Sequence, residues 1–422
     1  MTPGISGVMQ DLLERIFPLN RSLTGNGVRM TLAALQTAAD FEVHEVPSGT
    51  RCYDWTVPDE WNIEDAYLAQ GGLRFVDFRA NPLHLVGYSE PIDLLMPLSD
   101  LGGRVHFGKG HIPYRTSYYK RTWGFCIDSL APPPSHRGEP VQAVIRGSLA
   151  PGSMTYGERV LPGSSGREFL LSTYCCHPAM ANDNCSGMIA WAMLLHALQG
   201  MRLRHSYRFV IAPETIGTLA YIHLHEHAIR GLEGGYCLNT CGGPDAPSYK
   251  ASFDGEATVD LAVRLAFRDA GLQHDEHEFD AAGSDERQFA TPGLRIPMGS
   301  IHRSKYYDYP EYHTSLDNLS LISIQRIEGV VDLYLRAIEN LEYDRRYFSL
   351  CPIGEPMLSK RGLYPTFSAG GRGSQEAAAL RWQMQGARKH TLDIAQQSGL
   401  PVHALSLAAG ELVKAGLLRE IV

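Results

Sequence analysis

The chain has 422 residues, roughly three times the length of a typical single domain, so two or three domains and a substantial buried core are expected. Hydrophobic residues make up 44% and charged residues 20%, with 42 Gly and 25 Pro, which excludes wholesale disorder and a disulfide miniprotein and implies many loops. Asp and Glu number 46 against 38 Lys and Arg, and the net charge of −8 supplies no global field to draw nucleic acid or an anionic membrane. No apolar run approaches the ~18 residues of a transmembrane helix, and the first residues lack a basic stretch followed by an apolar one, so a cytoplasmic protein without a membrane partner is expected. The eight dispersed cysteines lack CxxC spacing and read as reduced, mostly buried small hydrophobes.

In chain order, residues 9–38 carry Leu12, Leu13 and Ile16, then Met30, Leu32 and Leu35, at helical spacing around the turn-rich NRSLTGNG, which predicts two short helices. From about 46 to 161 short β-like runs such as LRFVDF (73–78) and VQAVI (141–145) alternate with Pro and Gly, and SLAPPPSHRGEP (129–140) reads as a surface loop. After Gly163 strand and helix alternate: strands at 169–173, 207–212 and 235–239, helices at 186–198, 216–229 and 258–270, and a closing helix at 322–341. Such alternation predicts an α/β layered domain with a mostly parallel sheet. Because helices precede the β-rich stretch, that stretch reads as an insertion. The tail from Thr391 places Leu392, Ile394, Ala395, Leu405 and Leu412 around a turn at Gly399, a helix-turn-helix with a wing-like end. The predicted organisation is a discontinuous α/β domain (1–48 and 162–350), a β-rich insert (49–161) and a winged helix (351–422).

Ligands of open α/β sheets collect beyond the carboxyl ends of strands, and three such loops carry candidate chemistry. YCCHPAMANDNCSG holds His177 and Asp183, PETIG holds Glu214, and YPEYHTSLDNL holds Tyr312 and His313. Imidazole and carboxylate are zinc ligands, and a catalytic zinc keeps one position open, so His177, Asp183 and His313 would supply a three-ligand set. Glu214 is then the free carboxylate that takes a proton from activated water and delivers one to the leaving amine, and the Tyr312 phenol can donate to the oxyanion. Taken singly, a His, Asp or Glu in a loop is far more often structural or solvated than catalytic.

At these residues the sequence resembles the co-catalytic zinc aminopeptidases of the M28 type. DNCSG resembles their DNxSG element, PETIG their EExG, YHTSLD their YHTxxD, and GSDERQF stands in the place of their SDHxxF. The resemblance spans about 172–341. The whole layout is more closely similar to a bacterial subfamily with an inserted β-rich domain and a C-terminal winged helix, long labelled as domains of unknown function, some members of which are tied to polysaccharide biosynthesis. It implies an aminopeptidase-like fold and a zinc metallopeptidase-like hydrolase of the aminopeptidase class. Two positions depart: Thr215 and Thr240 stand where the family places carboxylates for its metals. A hydroxyl is a poor zinc ligand, so one zinc per chain is expected. Asp285, Glu286 and Arg287 are candidates for reading a free terminus of the substrate, or for bracing the loop as an ion-pair cluster.

The helix YIHLHEHAI presents His223, His225 and His227, but not in HExxH order, and reads as a polar face. Cys175 and Cys176 read as packing beside the site. Between 351 and 422, eight basic side chains, Arg372 among them, face five acidic ones, and the second tail helix, about 401–415, offers only His403, Ser406, Glu411 and Lys414 as polar groups. That favours packing or self-association over DNA binding. The expected function is hydrolysis of a peptide or peptide-like amide. The alternatives are an amidohydrolase or acyl-transfer enzyme of a small-molecule or polysaccharide pathway acting on an aminoacylated substrate, and a non-catalytic metal-binding or regulatory protein on a peptidase scaffold.

Overall fold

Met9, Leu12, Leu13 and Ile16 recur at i, i+3, i+4 and i+7, and all four are buried along one face of the helix Ile5–Ile16. The computed structural model describes residues 5–130, 139–363 and 375–421, so most of the expected loop at 129–140, and Arg372, lie outside the described residues. A second helix, Asn26–Leu35, buries Val28, Leu32 and Leu35, whereas Met30 is exposed. The helix Gly187–Leu198 differs in kind: GMIAWAMLLHAL is apolar on every side, and only His196 and Ala197 reach solvent. Such a helix must sit in a core. It packs on the strand Glu168–Tyr174, where Trp191 Nε1 donates to Leu171 O (3.0 Å).

The chain divides into two compact units, residues 1–253 with 275–331, and 254–274 with 332–422. The first holds an eight-stranded sheet in the order Glu42–Pro47, Ser153–Leu161, Ser206–Ala212, Glu168–Tyr174, Leu232–Cys237, Met298–Arg303, Pro247–Lys250, Glu276–His277. Its centre is parallel: Glu168–Tyr174 pairs with Ser206–Ala212 and with Leu232–Cys237, which pairs in turn with Met298–Arg303. The fold is thus the expected α/β class with a large, mostly parallel sheet. Gly235 sits where a Cβ would lie 2.1 Å from Leu170 O, so only glycine lets these two central strands pair. The loops bearing His177, Glu214 and Thr240 leave the carboxyl ends of three adjacent strands.

The insert forms its own antiparallel sheet in the order Leu73–Asp77, Glu60–Gln70, Val141–Ala150, Ile92–Met96. Its expected end at 161 needs correction. Ser153–Leu161 belongs to the large sheet, pairing antiparallel with Glu42–Pro47 and Ser206–Ala212. Two successive strands, parted only by Pro151 and Gly152, serve different sheets, and strand texture does not report which sheet a strand joins.

The second unit holds the helix Thr258–Asp269 and the winged helix. Arg268 of that helix caps two carbonyls, Nη1 to Ala395 O (2.7 Å) and Nη2 to Leu400 O (3.0 Å). The helices Gln375–Gln385, Thr391–Ser398 and Val402–Lys414 are followed by the strand Leu418–Ile421, which pairs with Arg346–Ser349. The winged helix therefore recruits a strand before its expected start at 351, because an edge strand needs a partner. Gly399 ends the first helix of the predicted turn at φ 71°, the left-handed cap that glycine favours. Among the described residues no helix is long and apolar enough to cross a membrane.

Candidate active site

Each residue of the DNCSG run has a separate physical task. Asp183 turns its carboxylate inward, while its backbone N–H and that of Asn182 donate to Asp317 (3.0 and 2.6 Å). Asn184 Nδ2 bonds Thr173 Oγ1 and Tyr174 O, both at 3.0 Å, tying the loop back to its own strand. Ser186 Oγ donates to Asn182 O (2.7 Å) and accepts from Cys241 N (2.8 Å). At Gly187 a Cβ would fall 2.1 Å from Asn184 Oδ1 and 2.6 Å from Leu238 O, so the glycine permits the loop to close over the helix. His177 is fixed from behind, where fully buried Arg21 donates Nε to its carbonyl (3.0 Å).

His313 arrives on another loop, in the left-handed region at φ 55° and stacked on Tyr312 with ring centroids 3.9 Å apart. Its carbonyl accepts from Tyr114 N (2.9 Å), and Pro113 bridges Thr314, so a segment of the insert holds the ligand loop in place. The Tyr114 ring lies 5.5 Å from the His177 ring and 5.1 Å from that of His313.

The three expected ligands converge. His313 Nε2 lies 3.0 Å and His177 Nε2 4.0 Å from Asp183 Oδ2, and all three ligand atoms lie within 4.8 Å of one another. Asp183 Oδ2 and His313 Nε2 are buried and, despite their approach, have no hydrogen-bond partner. Orphaned buried polar atoms aimed at one another are what a metal site presents without its ion, and two imidazoles with one carboxylate are a donor set that suits zinc. Burial holds the His177 imidazole down at about 4, so it is neutral at pH 7. Burial pushes Asp183 up, but His177, His313 and the Tyr174 hydroxyl (2.6 Å from Oδ1) outweigh it and leave the carboxyl at about 2. Both are in the protonation state a metal requires.

Glu214 stands 3.8 Å from His177 Nε2 through Oε2, while Oε1 accepts from Ser284 Oγ (2.9 Å). Its side chain is a quarter exposed, yet its surroundings are poor in solvent, and burial followed by the charges of Asp285 and Asp183 pushes it up to about 8. Tyr312 is kept protonated by burial, then by the Asp183 and Glu214 charges, and remains a donor. Thr215 and Thr240 adopt φ 64° and 45°, strained for β-branched residues. Their hydroxyls are engaged elsewhere: Thr215 Oγ1 accepts from Arg287 Nη2 (3.1 Å), and Thr240 Oγ1 bonds His302 Nδ1 (2.7 Å).

The trio separates, and for Asp285 and Glu286 the contacts fit the bracing alternative and not the reading of a substrate terminus. Asp285 is buried and accepts from Thr215 N and Thr218 Oγ1, both at 2.8 Å. Glu286 is buried in an ion pair with Lys250 (2.5 Å), reinforced by Tyr306. Both brace the loop, and only Arg287 lines the chamber beside Glu214. Sequence reasoning missed Ser284, Tyr174 and Tyr114. The first two lie inside the runs GSDERQF and YCCHPAMANDNCSG without having been singled out, whereas nothing in the insert's sequence marks Tyr114. His225 bonds the Tyr156 hydroxyl (3.2 Å) and His223 packs on Tyr53 (5.3 Å), consistent with a polar helix face. Burial pushes Cys175 up to about 12 and Cys176 well above its usual value, so neither is a thiolate.

The sequence profile of the family described as a domain of unknown function, DUF4910, matches residues 10–344, and that of a winged helix-turn-helix family matches 345–420. The chain belongs to the DUF4910 family. A Clostridium acetobutylicum protein is 38% identical over 98% of this chain and 96% of its own, and is provisionally named a polysaccharide biosynthesis protein with an aminopeptidase-like domain. A crystal structure from C. acetobutylicum, provisionally described as a peptidase, superposes with a TM-score of 0.90 at 37% identity, covering 99% of this chain and 97% of that one. BSAP, a zinc aminopeptidase of Bacillus subtilis, shares the fold at TM-score 0.59 and 15% identity, over 80% of this chain and 93% of its own. An M28 peptidase precursor of Shewanella amazonensis does so at 0.53 and 14%, over 79% and 91%. The DUF4910 chain thus has an aminopeptidase-like fold followed by a winged helix.

Proposed function

We propose that this chain is a zinc-dependent hydrolase of a peptide or peptide-like amide. The observation that carries the reading is the convergence of His177, Asp183 and His313 on one point, two of their atoms orphaned, with Glu214 3.8 Å from His177. These three residues would hold one zinc, which when bound supplies acidification of water and polarisation of a carbonyl. The engagement of Thr215 and Thr240 with Arg287 and His302 supports a single ion. Glu214, its Oε1 held by Ser284, presents Oε2 on the His177 side to take a proton from the attacking water and later passes it to the leaving amine. Tyr312, protonated beside His313, donates to the developing oxyanion.

A second reading is an amidohydrolase or acyl-transfer enzyme of a biosynthetic pathway. It is favoured by the provisional name of the C. acetobutylicum relative and uses the same residues. Eight unpaired cysteines support a cytoplasmic, reducing setting. We read the winged helix as a packing or self-association module: on Val402–Lys414 the exposed side chains are His403, Leu407, Glu411, Val413 and Lys414, and Lys414 is paired with Glu411 (2.8 Å).

Screening a panel of aminoacyl amides and dipeptides with wild type and Glu214→Gln tests the reading. Turnover in the wild type that drops by about 10²–10⁴ in the variant, with zinc retained, supports it. Undiminished turnover in Glu214→Gln refutes the mechanism. A chain that holds zinc yet turns over nothing in the panel counts against the peptidase reading.

A further inference from the structure

The chamber beside Glu214 has a volume of about 460 Å³, and its walls include Leu23, Trp55, Tyr118, Tyr119, Glu214 and Arg287. Trp55 and Tyr119 are 42% and 50% exposed while in edge-to-face contact at 5.8 Å. Two large aromatic side chains of the insert therefore offer open apolar surface beside the catalytic base, the kind of wall that takes the apolar body of a ligand.

The one cation of that lining is Arg287, and its bonding is incomplete. Its guanidinium donates Nη2 to Thr215 Oγ1 (3.1 Å), while Nε is buried with no partner. A guanidinium is always charged and presents its donors as a planar fork, so one that makes a single hydrogen bond at the wall of a chamber has donors left for a ligand's acceptor. Groups suited to an ammonium are committed elsewhere. Asp285 accepts from Thr215 N and Thr218 Oγ1, Glu286 pairs with Lys250 through Oε1, neither lines the chamber, and Glu214, the carboxylate that does, is assigned to the reacting centre.

We propose that Arg287 binds an anionic group of the substrate, a carboxylate or a phosphate, with the aromatic walls holding the apolar part next to it. The amide cleaved here then belongs to an acidic substrate and not to one recognised by a free amine. This rests on the reading of Glu214 as the base, and it replaces a terminus-reading trio by a single anion-reading arginine.

Isothermal titration calorimetry of the full-length chain with 3-phenylpropionate, phenyl phosphate, 3-phenylpropylamine and the neutral 3-phenylpropanol tests it. The titrations are run on the protein as purified and after chelation, which removes any cation that would itself hold an anion. At least one anion should bind about tenfold tighter than the amine and the alcohol in both forms, and the tighter of the two names the group. Arg287→Gln should erase that preference, Arg287→Lys should keep part of it, and Trp55→Ala should weaken all binding probes alike. The proposal is overturned by an amine that binds as tightly as the anions, by no binding of either anion, by a preference that survives Arg287→Gln, or by anion binding that vanishes on chelation. Should Arg287→Gln fail to fold, as read by circular dichroism, the wild-type ranking decides. None of these readouts is turnover, so an inactive chain can show the preference and an active hydrolase can lack it.

Discussion

Among single residues, Glu214 is the most informative because its environment opposes its charge. Without a cation nearby, its carboxyl at about 8 keeps a proton at pH 7; a zinc ion close by would favour the ionised form. His177 at about 4 and Asp183 at about 2 have none to give at that pH. Titrating zinc into chelated protein in buffers of different ionisation enthalpy should therefore release close to one proton more from the wild type than from Glu214→Gln near pH 7. The difference should shrink towards zero above about pH 9, where Glu214 is already ionised. A difference absent at pH 7 would show that Glu214 is ionised before the metal arrives. A second single-atom effect is steric. Gly187→Ala would drive a methyl into Asn184 and Leu238 O, so it should cost about 1–3 kcal/mol by chemical denaturation and weaken zinc binding through the displaced Asp183 loop. Unchanged zinc affinity would separate the glycine from the site.

Elements explain which of these features could be read in advance. The loops of His177 and Glu214 are legible because each follows an apolar run, that of His313 because it precedes the closing helix, and all three carry His, Asp or Glu in an order matching known motifs; the all-round apolar helix Gly187–Leu198 declares its own burial. The fate of Ser153–Leu161 is not legible: it has the β texture of the insert and pairs with the large sheet, since pairing partners are decided by tertiary packing. Nor is the reach of the insert to the site, which depends on backbone contacts of Pro113 and Tyr114 with the loop of His313 that any residue with an N–H or C=O could make. The choice between the two alternatives for Asp285 and Glu286 is not legible for a related reason, because charge in sequence does not disclose a buried partner such as Thr218 or Lys250. In the C-terminal unit, His390 Nδ1 pairs with buried Asp344 Oδ2 (2.7 Å) at the start of the helix Thr391–Ser398. That hydrogen bond raises the His390 value above its usual one. The contribution is complete below the unfolded value near 6.5 and is lost as pH rises through the folded one. With His390 over a third exposed, His390→Ala should cost less than about 1 kcal/mol, and more at pH 6 than at pH 8.5, in hydrogen exchange of that helix. A larger cost at the higher pH would reverse the assignment.

At the scale of the whole molecule, a chain of net charge −8 carries a winged helix whose exposed helix face pairs its lysine with a glutamate. Phosphate contacts dominate protein–DNA affinity and fade with salt, so no salt-dependent mobility shift of duplex DNA is expected even at low ionic strength. A shift that collapses as salt is raised would make the winged helix a nucleic-acid module after all. The aminopeptidase-like fold does not by itself establish catalysis, since one scaffold serves many ends. We read this chain as holding one zinc on His177, Asp183 and His313 with Glu214 as the base, because these side chains converge and Thr215 and Thr240 offer only engaged hydroxyls. The most direct test of that account is the zinc content of the purified full-length protein beside that of Asp183→Asn. The account predicts about one zinc per chain in the wild type and a loss of most of it in the variant. No zinc, two firmly held ions, or a content unchanged by the substitution would contradict it.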